Sequence, residues 1–139
     1  MMEIDIQKVL AYTKQLTVLY VEDNKDTREI TGMLFSEVFG CVVEAIDGED
    51  GLTKFNEQNF SLIISDINMP KMNGIEMVKK IRESNVSMPI IISSAYTKES
   101  MEEVEALNIQ GYLTKPMELE KLFELILAIF QGEDERLLA

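Results

Sequence analysis

The chain has 139 residues, 46% of them hydrophobic and 27% charged, with 13 basic against 25 acidic side chains for a net charge of −12. This is the composition of one globular domain, long enough to bury roughly 70% of its unfolded surface without staples. The absence of histidine and the single cysteine, Cys41, exclude imidazole metal sites, Ser-His and Cys-His catalysis, an internal disulfide and a thiolate zinc site. The negative charge repels phosphate backbones and anionic lipid, so neither nucleic-acid binding by this segment nor a membrane partner is expected. No run of about 18 apolar residues is present, and the start carries Glu3 and Asp5 rather than a basic stretch, so a cytoplasmic protein is the expectation.

In chain order, residues 1–15 form an N-terminal extension. There Ile6, Val9 and Leu10 fit a short amphipathic helix on the sheet edge, with a frayed arm as the alternative. The first apolar run, Leu16 to Val21, ends in Glu22-Asp23-Asn24, and a helical pattern follows at Ile30, Met33, Leu34 and Val38. The second run, Cys41 to Ile46, meets an Asp47-Gly48 turn, then a helix carrying Leu52 and Phe55. The third, Ser61 to Ser65, ends in Asp66; Asn73 then suits an N-cap for a helix striped by Ile75, Val78 and Ile81. The fourth, Pro89 to Ser93, ends in Ser94-Ala95, before a short acidic fourth helix marked by Met101 and Val104. The fifth, Gly111 to Thr114, ends in Lys115-Pro116. A long fifth helix follows, with Leu119, Leu122, Phe123, Ile126 and Phe130 on one face; Leu125 and Ile129 beside it read either as an exposed apolar strip at an output face or as ordinary isolated exposed aliphatics. One domain over 16–131 accounts for all of this, and 132–139 is a polar tail or the start of a linker.

Nearly continuous aliphatic runs need cover on both faces, which is the mark of parallel strands between helical layers. Five βα alternations predict an α/β doubly wound sheet with right-handed crossovers. In such sheets ligands bind beyond the carboxyl ends of the strands. Four of the five strand exits deliver Glu22-Asp23, Asp66, Ser94 and Lys115 to that rim. Each has a bland explanation: a helix cap, a turn, a buried hydroxyl, a solvated charge. All four at one rim are poorly explained by accident. Clustered carboxylates resist joint ionisation, and Mg2+ relieves this with oxygen ligands in octahedral geometry, Mn2+ being a substitute. A carboxylate, a divalent cation, a lysine and a hydroxyl around one cavity describe a phosphoryl-transfer site. With neither histidine nor a nearby cysteine, the available nucleophile is a carboxylate.

The sequence closely resembles the receiver domains of bacterial two-component response regulators from about Leu16 to Phe130. The most specific segment is Ser65-Asp66-Ile67-Asn68-Met69-Pro70-Lys71-Met72-Asn73-Gly74, joined by Glu22-Asp23, Ser94-Ala95 and Tyr112-Leu113-Thr114-Lys115-Pro116. The resemblance implies a flavodoxin-like five-stranded parallel sheet in the order 2-1-3-4-5 with five flanking helices. It implies that Asp66 accepts phosphate from a histidine kinase or histidine phosphotransfer protein. Asp23, Asp66 and the Asn68 backbone carbonyl would hold Mg2+, with Glu22 acting through a water. Lys115 would contact the phosphoryl group, preceding a cis Pro116, and Ser94 and Tyr112 would switch the face of the fourth helix, fifth strand and fifth helix. The output would be a contact with an effector, an output domain or a second copy of the chain. The chain is then a phosphoacceptor that assists its own phosphorylation and dephosphorylation, not an enzyme acting on other substrates.

Three departures stand out: Ser94 where Thr is more common, Asn108-Ile109-Gln110 in place of the usual Gly-Ala, and the extension 1–15. The alternatives are an aspartate-nucleophile phosphatase of the haloacid-dehalogenase type and a degenerate receiver serving as a scaffold. The phosphatase needs an acid two residues after the nucleophile, where Asn68 stands; no GxGxxG or GxxxxGK[ST] loop is present for nucleotides.

Overall fold

The three most apolar runs form the middle of the sheet. In the computed structural model, which describes residues 5–94, 102 and 105–130, β1 (Thr17–Val21), β3 (Leu62–Ser65) and β4 (Ile90–Ser94) lie side by side. They are buried along almost their whole length. The more polar β2 (Cys41–Ala45) and β5 (Gly111–Thr114) take the edges, giving five parallel strands in the order β2-β1-β3-β4-β5. Alternate residues feed opposite faces, as the period of a strand requires. Val18, Tyr20, Leu62, Ile64, Ile91 and Leu113 enter one apolar cluster, and Leu19, Val21, Ile63, Ile90 and Ile92 enter the other.

Five helices cover these faces among the described residues: α1 (Ile6–Thr13), α2 (Lys25–Val38), α3 (Gly48–Glu57), α4 (Gly74–Ser84) and α5 (Leu119–Phe130). The first cluster is closed by Val9 of α1, Phe35 and Val38 of α2, and Leu122, Phe123, Ile126, Leu127 and Phe130 of α5. The second is closed by Ile75, Met77, Val78 and Ile81 of α4, with Leu52 and Phe55 of α3 packed against it. Each fully buried aliphatic or phenyl group contributes about 1.5–3 kcal/mol. The stripe expected at Met101 and Val104 lies outside the described residues.

The helix starts are set locally. Asp5, Asn24, Asp47 and Asn73 each accept a hydrogen bond from the backbone N–H three residues on, at 3.3, 2.9, 2.7 and 2.9 Å. Such caps are worth about 1 kcal/mol each. α1 is tied down by the Thr13 hydroxyl, which donates to the Val38 carbonyl at 2.7 Å, and by Tyr12 against Phe130, 5.6 Å between ring centres.

Two expectations are corrected. On α2 only Val38 of the Ile30, Met33, Leu34 and Val38 stripe faces the core: Ile30 and Met33 are 71% and 73% exposed, and Gly32 and Phe35 are buried with Val38 instead. Phe35 falls outside the aliphatic spacing, yet its ring packs edge-on against Tyr20 and Phe39, at 4.9 and 5.5 Å. One buried ring outweighs two aliphatic side chains in choosing the face. On α5, Leu125 and Ile129 are half-buried and pack on the first cluster rather than forming an exposed strip. Leu125 covers Gly111, where a Cβ would come within 2.8 Å of a leucine methyl.

The Asn108-Ile109-Gln110 segment has a structural account. Asn108 adopts a left-handed backbone (φ 56°), which glycine supplies freely and asparagine tolerates best among the other residues. The guanidinium of Arg82 on α4 then fixes the approach to β5. It donates to the carbonyls of Leu107, Asn108 and Asn85 at 3.2, 3.0 and 3.1 Å, and to the Gln110 carboxamide oxygen at 3.2 Å. That same oxygen accepts from the Ile90 N–H at 2.8 Å, while the Gln110 N–H donates to the Ile90 carbonyl at 3.0 Å. The side chain of Gln110 thus extends the ladder to β4.

Candidate functional site

The register places the acids together. Val21 is paired with Ala45 on one side and Ser65 on the other. The ladder runs one residue further: the Glu22 N–H donates to the Ala45 carbonyl and the Asp66 N–H to the Val21 carbonyl, both at 3.0 Å. At the far side Ser94 pairs with Thr114, and the Lys115 N–H donates to the Ser94 carbonyl at 3.0 Å. Glu22 and Asp66 therefore leave β1 and β3 at the same level, and Ser94 and Lys115 follow one and two residues further along at the same rim.

Cap duty on α2 falls to Asn24, which releases the two acids before it. Glu22 is buried (1% exposed), Asp66 nearly so (8%), and Asp23 is exposed. One carboxylate oxygen from each lies within 4.8 Å of the other two. The Lys115 ammonium bridges two of them, at 2.6 Å from Glu22 Oε1 and 3.0 Å from Asp66 Oδ2. Glu22 Oε2 accepts from the Asn24 N–H at 3.2 Å, and Asp66 Oδ1 from the Ile67 N–H at 2.7 Å, which fixes the rotation of both carboxylates. Asp66 is also fixed from behind. Gly74 lies so close to the Asp66 carbonyl oxygen that a Cβ would collide with it, and the Gly74 N–H donates to the Ile67 carbonyl at 2.8 Å.

The electrostatics follow from this crowding. Burial, helped by the Asp66 charge, raises the Glu22 carboxyl above its ordinary value against the pull of Lys115 and the Asn24 N–H. Burial alone would lower Lys115, but hydrogen bonds to Glu22 and Asp66 more than offset it and hold the ammonium above its usual value. Beneath them, burial pushes the Tyr20 hydroxyl up to about 12. Three carboxylates against one ammonium leave an uncompensated double negative charge. Hard oxygen donors at this spacing suit a small divalent cation.

Ser94 is buried at the same rim. Asn68 is exposed two residues beyond Asp66, on a loop where Lys71 takes a left-handed backbone (φ 65°). Tyr112 sits one register step before Leu113 and packs with the cluster on the α3–α4 face. The Lys115–Pro116 bond is cis. Beside Lys115 a cleft of about 740 Å3 opens between α2 and the β5–α5 connection, lined mainly by apolar groups including Ile30, Leu34, Pro116 and Met117. Spacing alone does not single out Arg28. Its guanidinium donates to the carbonyl oxygens of Glu22 and Asp23, at 2.8 and 3.3 Å; the available signal is a cation in the second turn of a helix that starts directly after two acids.

Comparison with known proteins agrees with this arrangement. The family model described as the response regulator receiver domain matches residues 18–127. The chain belongs to that family. The receiver is 32% identical over 109 residues to the transcriptional regulatory protein DltR of Streptococcus agalactiae, a match covering 77% of this chain and 48% of the relative. The chain thus spans about half the length of the curated relatives it matches. Among solved structures, it resembles the N-terminal domain of an uncharacterized protein from Wolinella succinogenes (TM-score 0.78, 32% identity, 85% of this chain and 96% of the other). It also resembles the chemotaxis response regulator CheY4 of Vibrio cholerae (TM-score 0.74, 31% identity, 83% and 98%). A third likeness is to a chain of the CheX–CheY–BeF3–Mg2+ complex of Borrelia burgdorferi (TM-score 0.77, 25% identity, 90% and 97%). The receiver has the sheet order expected of it, and no helix among its described residues is long and apolar enough to cross a membrane.

Proposed function

We propose that this receiver accepts a phosphoryl group on Asp66 from the phosphohistidine of a histidine kinase or histidine phosphotransfer protein, in a Mg2+-dependent reaction. The observation that carries the reading is the Asp66 carboxylate, held 3.0 Å from the Lys115 ammonium and within 4.8 Å of two further carboxylates. An Asp66 oxygen forms the new P–O bond as the donor's P–N bond breaks, and the electron pair stays on the imidazole. Asp23, Asp66 and the backbone carbonyl of Asn68 would hold Mg2+, with Glu22 acting through a water. The cation supplies charge neutralisation for the phosphoryl oxygens. A relative of known structure was solved as a complex with BeF3 and Mg2+, which agrees with the donor set here. Lys115 is released from its carboxylate pairs to meet the incoming anion.

The phosphoryl group brings negative charge and acceptor oxygens to the rim where the Ser94 hydroxyl lies. Ser94 turning inward frees space into which Tyr112 moves, and that rearranges the surface at β5 and its neighbouring helices. The reader of that surface is an effector, an output domain or a second receiver; one relative is a transcriptional regulatory protein. The net charge of −12 argues that this segment does not itself touch nucleic acid.

The test is intact mass after incubation with Mg2+ and acetyl phosphate. A single phosphoryl adduct, absent with EDTA and absent in Asp66→Asn, is expected. Full modification of Asp66→Asn would refute the assignment. Continuous phosphate release from varied esters would favour a phosphatase, and no adduct at all a scaffold.

A further inference from the structure

Asp23 is the least supported of the three acids. Lys115 holds Glu22 and Asp66, and backbone N–H groups hold both carboxylates. The Asp23 side chain is exposed, and no such bond fixes it among the described residues. The position of its Cβ, from which the carboxylate must reach Asp66, is therefore set by its backbone alone. The Asp23 carbonyl is gripped by Arg28 Nη1 at 3.3 Å, and the same nitrogen donates to the Glu22 carbonyl at 2.8 Å.

Arg28 is itself set from β2. Its Nε lies 3.8 Å from Glu44 Oε1, and its side chain is only 16% exposed. Glu44 stands opposite Tyr20 in the sheet register. Its carboxylate lies over Gly32 of α2, so closely that a Cβ on Gly32 would collide with it. A glycine inside a helix costs about 1 kcal/mol relative to alanine. Here it makes room for the carboxylate that orients the guanidinium. A chain of contacts thus runs from Gly32 through Glu44 and Arg28 to the peptide that carries Asp23.

We propose that Arg28 is the positioning residue of the cation site, fixing the Asp23 carboxylate toward Asp66 through the carbonyl oxygens of Glu22 and Asp23. The inference rests on the reading of the acidic cluster as a Mg2+ site. Two effects of Arg28 oppose each other. Its positive charge repels a cation, and its grip on the backbone presets a ligand. The two make opposite predictions for its removal, which decides between them.

Mg2+ affinity is measured by calorimetry at fixed ionic strength on metal-stripped wild type, Arg28→Met and Arg28→Lys. Positioning predicts that Arg28→Met binds Mg2+ roughly tenfold more weakly, the low end of what the outer partners of metal ligands contribute. Arg28→Lys, which keeps the charge and part of the donor capacity, recovers part of that loss. Affinity in Arg28→Met equal to or tighter than wild type overturns the proposal, because the charge effect would then dominate. If Arg28→Met does not fold, Arg28→Lys decides: with the charge retained, weaker binding supports the grip and unchanged binding overturns it. Wild type that takes up no Mg2+ would bring down the proposed function together with this inference, whereas normal uptake by wild type and an indifferent Arg28→Met would bring down the inference alone.

Discussion

A single ammonium bridges two of the three clustered carboxylates, and Lys115→Met exposes the cost of their proximity. Glu22 titrates above its ordinary 4.5 in the fold, chiefly through burial. The folded state therefore holds its proton more tightly than the unfolded chain, and stability falls as pH rises through the window above 4.5. Lys115 has the opposite role. Its raised pKa contributes stability that is complete below its ordinary 10.5 and is lost only as pH climbs through the higher folded value. Removing the ammonium lifts Glu22 further. Metal-free Lys115→Met should therefore lose stability more steeply than wild type as pH rises above the ordinary 4.5 of Glu22, as read by urea midpoints at a series of pH values. Parallel profiles would mean that Lys115 does not relieve the cluster. All of the acids and the lysine are legible in the sequence, because each closely follows a short apolar run that reads as a strand. Arg28 is not, because what it touches is backbone, and a carbonyl oxygen has no letter in the sequence.

At the level of the elements, α2 shows how far hydrophobic spacing can mislead. Aliphatic periodicity points to Ile30, Met33, Leu34 and Val38; the ring of Phe35 and the closeness allowed by Gly32 turn the helix away from the first three and keep only Val38 in the core. Phe35→Ala should cost about 3–5 kcal/mol, while Ile30→Glu and Met33→Lys should each stay within about 0.5 kcal/mol of wild type. Equilibrium urea denaturation measures all three, and a large loss from either surface change would restore the aliphatic face to the core. On α4 the spacing and the buried face coincide for the converse reason: Ile75, Val78 and Ile81 lie in the core with no aromatic to compete. α5 falls between. Its main stripe is core as expected, but Leu125 and Ile129 flank it closely enough to be half-covered. Placing a charge at Leu125 would disturb its cover over Gly111 as well as any surface contact.

For the whole molecule, sheet order was implied by resemblance rather than by the strands themselves; alternation of strand and helix fixes parallel pairing but not which strand lies at the edge. The difference in polarity between β2 and β1 gives the physical reason for the order that is seen. The net charge of −12 bears on stability as well as on partners. Salt screens the mutual repulsion, so K+ and Mg2+ should both stabilise the fold, but on the function proposed above only Mg2+ would also occupy the acidic rim. At a hundred times its dissociation constant a bound ligand adds about 2.7 kcal/mol. Mg2+ should therefore raise the thermal midpoint beyond K+ at equal ionic strength, and Asp23→Asn should lose most of that excess. Equal shifts from the two salts would indicate screening alone.

Arg82 and Gln110 give β5 a mooring independent of the chain that leads to it. One guanidinium holds the Leu107 and Asn108 carbonyls to α4, and a carboxamide holds Gln110 to β4. The peptide bonds before Leu107 are thus not what keeps β5 in register. A molecule nicked there would behave as two fragments that stay associated. Covalent continuity at that point serves to supply high effective concentration during assembly rather than cohesion afterwards.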